Sequence, residues 1–349
     1  MKKILLKKTL CLFLILLSFL AGSCGNGSLS ESEDSDEEEK TVGITFASWN
    51  VQTFFDAQTE GTEYDDFKKS GNWSRDKYLV RLARLCEVMI SLQADVFVLE
   101  EIENEDVVLD IANQIAGKSW NHNKKWDYAC FAREEGSAIG CAVFSRFNIS
   151  NLTTHSMDIR SQKESQPQCR PIIQFALEAE NKNLWVLVNH WKSKLGTDES
   201  RIWRQWEESL VTSRLSHLKV TEGFGQKLPS LVICGDFNQD AKEFCCNFGN
   251  NENTVFRGIS ASEGSVTQNV KSPWFNQNGS FSTEIGSYYY QSEWERIDHI
   301  FTGGKAKAVA FSPRAEEPWA NSDKQPVAYR IYNGEGYSDH LPVMCTITF

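Results

Sequence analysis

Six short stretches place oxygen-bearing side chains and two histidines where apolar runs end. They are "SWN" (Asn50), "LEE" (Glu101), "VNH" (His190), "GDFN" (Asp236, Asn238), "RID" (Asp298) and "SDH" (Asp339, His340). Carboxylate and amide oxygens suit a hard cation such as Mg²⁺, which keeps part of its water and needs few protein ligands. An imidazole beside a carboxylate supplies a proton acceptor near neutral pH. Together they equip a chain to attack a phosphorus ester with water. Each residue also has a plain structural reading. Asn50 suits a turn, Glu101 in "EEIENED" a solvated acid, Asp236 an Asx-turn, and His190 an edge strand. Their shared position is what informs. A buried strand is apolar along its length and turns polar where it leaves the core, so six such ends gathered on one edge would form a site.

The elements that must do the gathering are legible. "ITFASWNV" reads as a strand, and Ser74 as the N-cap of a helix whose Tyr78, Leu82, Leu85, Met89 and Leu92 make one apolar stripe. "ADVFVLEEI" is a buried strand and "EDVVLDIANQIAG" a second helix closing on Gly117. "WDYACFA" with "IGCAVFSR", and "RPIIQFAL" with "NLWVLVNH", suggest two hairpins. A long helix from Asp198 to about Val220 leads into the strand "LPSLVICGDFN". Beyond Asp240 the pattern weakens, with "SFST", "ERIDHIF" and "AVAF" as short strands and "PVMCTITF" as the last. Hairpins mixed with strand–helix units imply an α/β fold: two packed mixed sheets with helices outside, a four-layer α/β/β/α sandwich.

The bulk numbers bound the partners. Met1–Lys8 carries four lysines and Leu10–Ala21 is apolar but too short for a bilayer. Residues 1–23 therefore read as a signal peptide. Small residues before Cys24 resemble a bacterial lipoprotein signal, with Cys24 lipidated. Residues 24–40, with seven acids between Glu31 and Glu39, cannot bury surface and form a disordered tether. One domain occupies 41–349, which holds 31 basic and 40 acidic residues, a net of −9. That balance is poor for non-specific duplex binding, although a local basic groove is compatible with it. Its eight cysteines permit disulfides in an exported protein. Cys141 and Cys234, inside apolar runs, are explained as well by buried thiols.

In order and spacing, "SWN … LEE … NH … GDFN … RID … SDH" is similar to the endonuclease/exonuclease/phosphatase superfamily, from about Ile44 to Phe349. "WNVQTFFD", "GTEYDDF" and "VNHWKSK" resemble its bacterial exported branch. The resemblance implies a metal-dependent phosphodiesterase, with Asn50, Glu101 and Asp339 binding Mg²⁺ (Mn²⁺ or Ca²⁺ as alternatives). It makes His340 the catalytic histidine and Asp298 the acid that orients it. Asp236 and Asn238 position water and phosphate oxygens, and His190 contacts phosphate or acts as general acid. Glu100 replaces the middle residue of the usual Leu-Gln-Glu. Lys192 and Lys194 are weaker candidates for a flanking phosphate. "SYYYQSEW" suits strand pairing better than base stacking. His122, His155, His217 and His299 have no evident partner. The expectation is an exported, membrane-anchored nuclease acting on DNA or RNA, with no protein partner implied. The alternatives are a sphingomyelinase-like phospholipid diesterase, an inositol polyphosphate phosphatase, or a surface binding protein that has lost catalysis.

Overall fold

A computed structural model describes residues 42–69, 72–117, 126–159, 166–194, 198–223, 225, 227–244, 254–260 and 264–349. The leader, the acidic tether with Cys24, and His122 lie outside these residues. Along the chain come β1 (Gly43–Phe54), α1 (Asp65–Lys69), α2 (Arg75–Leu92), β2 (Val96–Ile102) and α3 (Glu105–Gly117). Then follow β3 (Tyr128–Ala132), β4 (Gly140–Ser145), β5 (Asn148–His155), β6 (Ile172–Ala179), β7 (Lys182–His190) and α4 (Asp198–Thr221). The remainder is β8 (Leu231–Asp236), β9 (Thr254–Ser260), β10 (Gly264–Val270), β11 (Tyr288–Tyr290), β12 (Glu293–Glu295), β13 (Asp298–Gly303), β14 (Lys307–Pro313) and β15 (Val343–Thr348).

Two mixed sheets form the centre. A six-stranded sheet has the order β14-β15-β1-β2-β4-β3 and a five-stranded sheet the order β13-β8-β7-β6-β5. The parallel pairs are β1–β2 in the first and β7–β8 in the second. Each parallel pair requires a crossover, supplied by α2 and by α4. Both expected hairpins form, as β3–β4 and β6–β7. The Ser74 cap is in place, its hydroxyl accepting from the Lys77 amide.

Period-two alternation sorts side chains into layers. Phe46, Val98, Val143, Phe175, Val186, Val232, Ile300 and Ile347 pack between the sheets. Trp49, Phe97 and Leu99 face α2 and α3 on the first sheet's outer side. Trp185, Leu187, Ile233 and Phe301 pack with Leu210, Val211 and Leu215 of α4 on the second's. At about 1.5–3 kcal/mol per buried large apolar side chain, these three layers supply the driving force.

Two expectations need correction. "SFST" is not a strand: only an isolated bridge joins Phe281 to Phe275. "ERIDHIF" splits into β12 and β13. The β9–β10 hairpin was not legible, because its Gly- and Ser-rich strands alternate weakly. Cys141 and Cys234 are free, buried thiols, as are Cys169 and Cys345.

Candidate active site

The inter-sheet layer explains where the polar residues sit. Phe46 is followed on the same face by Ser48 and Asn50, Val98 by Glu100, Val188 by His190, and Cys234 by Asp236. On β13 the order is reversed, Asp298 preceding Ile300. The strands stay apolar until one end of the sandwich and there become polar together. Register completes the gathering: Asp236 lies opposite both His190 and Asp298. Gly235 makes this close pairing feasible. Its φ is +129°, and a Cβ there would meet the Asn189 carbonyl oxygen at 1.8 Å.

Glu101 arrives by a different device. Alternation would send it outward with Phe97 and Leu99, but a β-bulge interrupts β2 and Glu101 takes a φ of 67°. Its Oε1 then meets Asn50 Nδ2 at 3.1 Å and His190 Nε2 at 3.9 Å. The Thr53 amide donates to its other oxygen. Gln52 and Thr53 are themselves left-handed, with φ of 53° and 48°. Such strain, about 1–3 kcal/mol per residue, persists only when the surroundings hold it. Arg81 does the holding. Its buried guanidinium donates to the carbonyls of Val51, Gln52 and Thr53 and lies 3.7 Å from the centre of the Tyr329 ring.

The centre is an imidazole–carboxylate pair. His340 Nδ1 is 2.8 Å from Asp298 Oδ2, and the Tyr288 ring lies 4.8 Å from the imidazole. Trp49 Nε1 holds the His340 carbonyl, and Ser338 Oγ accepts from the His340 amide while donating to the Asn50 carbonyl. Burial alone would lower the His340 pKa, yet Asp298, Asp236 and Asp339 hold it well above the usual imidazole range. Burial and the neighbouring Asp298 push Asp236 up to about 7, despite hydrogen bonds from Asn50 Nδ2 and the Asn238 amide. His190 goes the other way. Burial, Arg170 and His340 lower it far below the ordinary value, leaving a neutral ring whose Nε2 is 3.7 Å from Asp236.

Asn50, Glu101, His190, Asp236, Asn238, Asp298 and His340 are thus brought together. Asp339 joins them electrostatically: burial raises its carboxyl, His340 opposes and Glu101 adds. The lysines turn elsewhere. Lys194 is held by Glu295 at 2.7 Å and Glu243 at 3.8 Å, and the Lys192 ammonium lies 5.9 Å from the Trp203 ring centre. Asn238 donates to Asp236 and to the Trp191 carbonyl, so it positions the acid.

The donor set fits a divalent cation. Asp236, Asp339 and the adjacent Glu100 are all raised by burial first and by the nearby Asp298 carboxylate, a surplus of negative charge that a cation would relieve. The ion pairs found here among the described residues join His190 to Glu101 and Asp236, and His340 to Asp298. Ligand atoms of Asp236, Asp298 and His340 lie within 4.8 Å of one another. An ion bound by that trio would break the His340–Asp298 bond, so Glu101 and Asp236 suit it better.

Two contributors were missed from sequence. Arg81 had a signal, since it stands three residues after Tyr78 on the apolar stripe of α2. Glu100, fully buried and bonded to Ser48 Oγ at 2.8 Å, had only its departure from Leu-Gln-Glu.

The profile described as "Endonuclease/Exonuclease/phosphatase family" matches residues 45–348. Nocturnin of Xenopus laevis is 25% identical over 221 residues, 61% of this chain and 51% of that protein, so the chain spans about half the length of this curated relative. The fold is similar to truncated TDP2 of Caenorhabditis elegans, with a TM-score of 0.54 and 13% identity, covering 88% of this chain and 98% of that one. It is also similar to a mannosyl-6-phosphatase of Bacteroides thetaiotaomicron, with a TM-score of 0.50 and 15% identity over 88% and 100% of the two chains.

Proposed function

The chain belongs to the endonuclease/exonuclease/phosphatase family, and from that premise we propose that it is a divalent-cation-dependent phosphodiesterase, an exported nuclease in the first reading. Glu101, with Asn50 and Asp339, would hold Mg²⁺, and Asp236 is close enough to share it. The cation supplies Lewis-acid stabilisation of the charge that develops on the phosphoryl oxygens.

The chain's own residues do the rest. Asp298 occupies His340 Nδ1, which leaves Nε2 as the ring nitrogen free to meet a substrate. Held in its charged form, that ring donates to a phosphoryl oxygen. Asp236, titrating near neutrality, accepts the proton of the attacking water. Asn238 and Asn50 keep its carboxylate in place, and neutral His190 contacts the phosphate beside it. The observation that carries this reading is the 2.8 Å His340–Asp298 bond set against Asp236 at the mouth of the inter-sheet layer.

A second reading, a phospholipid diesterase of the sphingomyelinase type, is favoured by one observation. A cleft of about 670 Å³ on the side of Glu134 is lined by Glu60, Glu105, Asp106, Glu134 and Glu135 against Arg133, a wall that repels polyanions, nucleic acid and inositol polyphosphate alike, but not a zwitterionic headgroup. The test offers the purified full chain plasmid, RNA, sphingomyelin and inositol polyphosphates, with Mg²⁺ and with EDTA. Mg²⁺-dependent loss of plasmid or RNA supports the nuclease. Turnover of inositol phosphates or lipid alone moves the assignment to that substrate, and turnover of none removes it. Export and lipidation at Cys24 belong to the same proposal, supported by the basic, apolar and small-residue order of the leader. Cys24→Ser should move the protein from the membrane to the soluble fraction.

A further inference from the structure

A second cavity, of about 240 Å³, opens beside the catalytic cluster. It is walled by Glu134, Gln168, Arg170, Lys192, Trp203 and Glu207, none of which the mechanism above uses. Its link to the reacting centre is covalent and short. Lys192 follows His190 by two positions, and Arg170 Nη1 donates to the carbonyls of His190 at 3.3 Å and Trp191 at 2.9 Å. Arg170 therefore borders the cavity while sharing the Trp191 carbonyl with Asn238, which sets the cavity next to the catalytic cluster.

The lining has a distinct chemistry. The half-buried Trp203 ring offers an apolar face, and the Lys192 ammonium lies 5.9 Å from its centre, so a flat surface and a cationic donor converge on one space. Glu134 and Gln168 stand on the other side, joined by a 3.4 Å contact, with carboxylate lone pairs left over. Glu207, 3% exposed, accepts from the Lys192 amide at 2.8 Å. Burial pushes its carboxyl up to about 8, so near neutrality it adds no negative charge. Donors and acceptors surround one ring without a dominant sign of charge.

We propose that this cavity is the subsite for a polyol ring, the sugar or cyclitol that carries the phosphoester. Its C–H face would lie on Trp203, while its hydroxyls donate to Glu134 and accept from Lys192, Arg170 and Gln168. A nucleobase would also stack on Trp203, but its few edge groups would leave most of these donors and acceptors unpaired. The inference deepens the phosphoester-hydrolase reading and rests on it for the position of the phosphate.

The experiment has a binding arm that needs no turnover. Saturation-transfer NMR on the full chain would use glucose 6-phosphate, AMP and inositol monophosphate in turn, observing ring protons. Transfer is expected to the ring protons of at least one, falling several-fold in Trp203→Ala and kept in Trp203→Tyr, with circular dichroism unchanged. The ligand that shows it identifies the source of the ring: hexose, ribose or cyclitol. In the kinetic arm, Trp203→Ala should raise KM for that ligand's ester about tenfold while kcat stays near wild type. Absent transfer, or transfer indifferent to Trp203→Ala, overturns the subsite. Transfer without hydrolysis of any phosphoester would sink the reaction and leave the pocket standing.

Discussion

Two Asp-His pairs, Asp298-His299 and Asp339-His340, end in histidines that are both buried, at 0% and 6% exposure. They do opposite things. His299 lies on the outer face of β13 among rings: Phe301 stacks on it with centres 4.7 Å apart, while Phe237 and Phe244 meet it edge-on at 5.3 and 5.2 Å. Its one polar partner is the Gln239 carbonyl, 2.9 Å from Nε2, and burial lowers its pKa to about 4. His340 has an acid where His299 has a carbonyl, and its pKa moves up. The acid that charges His340 is Asp298, the immediate sequence neighbour of His299. One strand's alternation therefore sends the carboxylate to one histidine and the aromatic box to the other. The dipeptide does not make a catalytic histidine; the face it lands on does.

The largest expected effect breaks the pair that has the acid. His340→Ala and Asp236→Ala should each lower turnover of the assayed phosphodiester by about 10²–10⁴-fold, the usual range for a lost proton-transfer group. Circular dichroism should stay as in the wild type. Asp298→Asn should fall between them and the wild type, because the imidazole keeps a partner but loses the charge that holds its proton. Turnover retained by His340→Ala would remove the catalytic assignment. His299→Phe, by contrast, should leave turnover within about threefold, because the ring lies on the outer face of β13 among Phe237, Phe244 and Phe301, away from the chemistry.

His299 instead sharpens the comparison through stability. A histidine whose folded pKa lies below its unfolded value takes up its proton more readily in the unfolded chain. Its contribution is whole above about 6.5 and is lost as pH falls toward 4. Complete loss is worth about 3 kcal/mol by the usual conversion of a pKa difference. Urea unfolding at pH 7 should place His299→Phe about 1–3 kcal/mol below wild type, because the buried Gln239 carbonyl loses its donor, and the difference should move in favour of the variant between pH 6 and 4. Parallel curves across that range would mean that His299 is protonated inside the box.

The contrast also shows what could be read in advance. The strand ends were legible because burial imposes an apolar alphabet on β1, β2, β7, β8 and β13, against which Asn50, His190, Asp236 and Asp298 stand out. Helices α2, α3 and α4 were legible from spacing and, for α2, from Ser74. Glu101 stood out as an acid at a strand end, but strict alternation would have placed it on the wrong face, and only a left-handed bulge corrects that. The aromatic box was hidden because Phe237, Phe244, Phe256 and Phe301 come from four separate segments. The partner of His299 is a main-chain carbonyl, and no residue type announces one. Lys192 and Lys194 stood out by charge, but their actual partners, Trp203, Glu295 and Glu243, depend on how α4, β12 and the loop after Asp240 fold back.

The smallest effect tests a buried acid that has no imidazole. Glu100 lies on the same inner face as Asp298, accepts from Ser48 Oγ through Oε1, and leaves Oε2 without a protein partner. Burial first, then Asp298 and Asp236, raise its pKa well above the carboxylate range, which favours its neutral form. It is the near-isostere of the glutamine that the family places there, which explains how a fifth acid is tolerated beside four others. Glu100→Gln should therefore change turnover by less than about threefold, and stability by less than about 1 kcal/mol at pH 4, where the carboxyl of the unfolded chain is mostly neutral too. The sign of its pH dependence is opposite to that of His299. An acid raised in the folded state costs stability progressively as pH climbs above about 4.5, its unfolded value. The variant should then gain on the wild type with each step upward in pH. A Glu100→Gln protein as inactive as His340→Ala would show that charge at this position is used, and that burial beside Asp298 does not neutralise it.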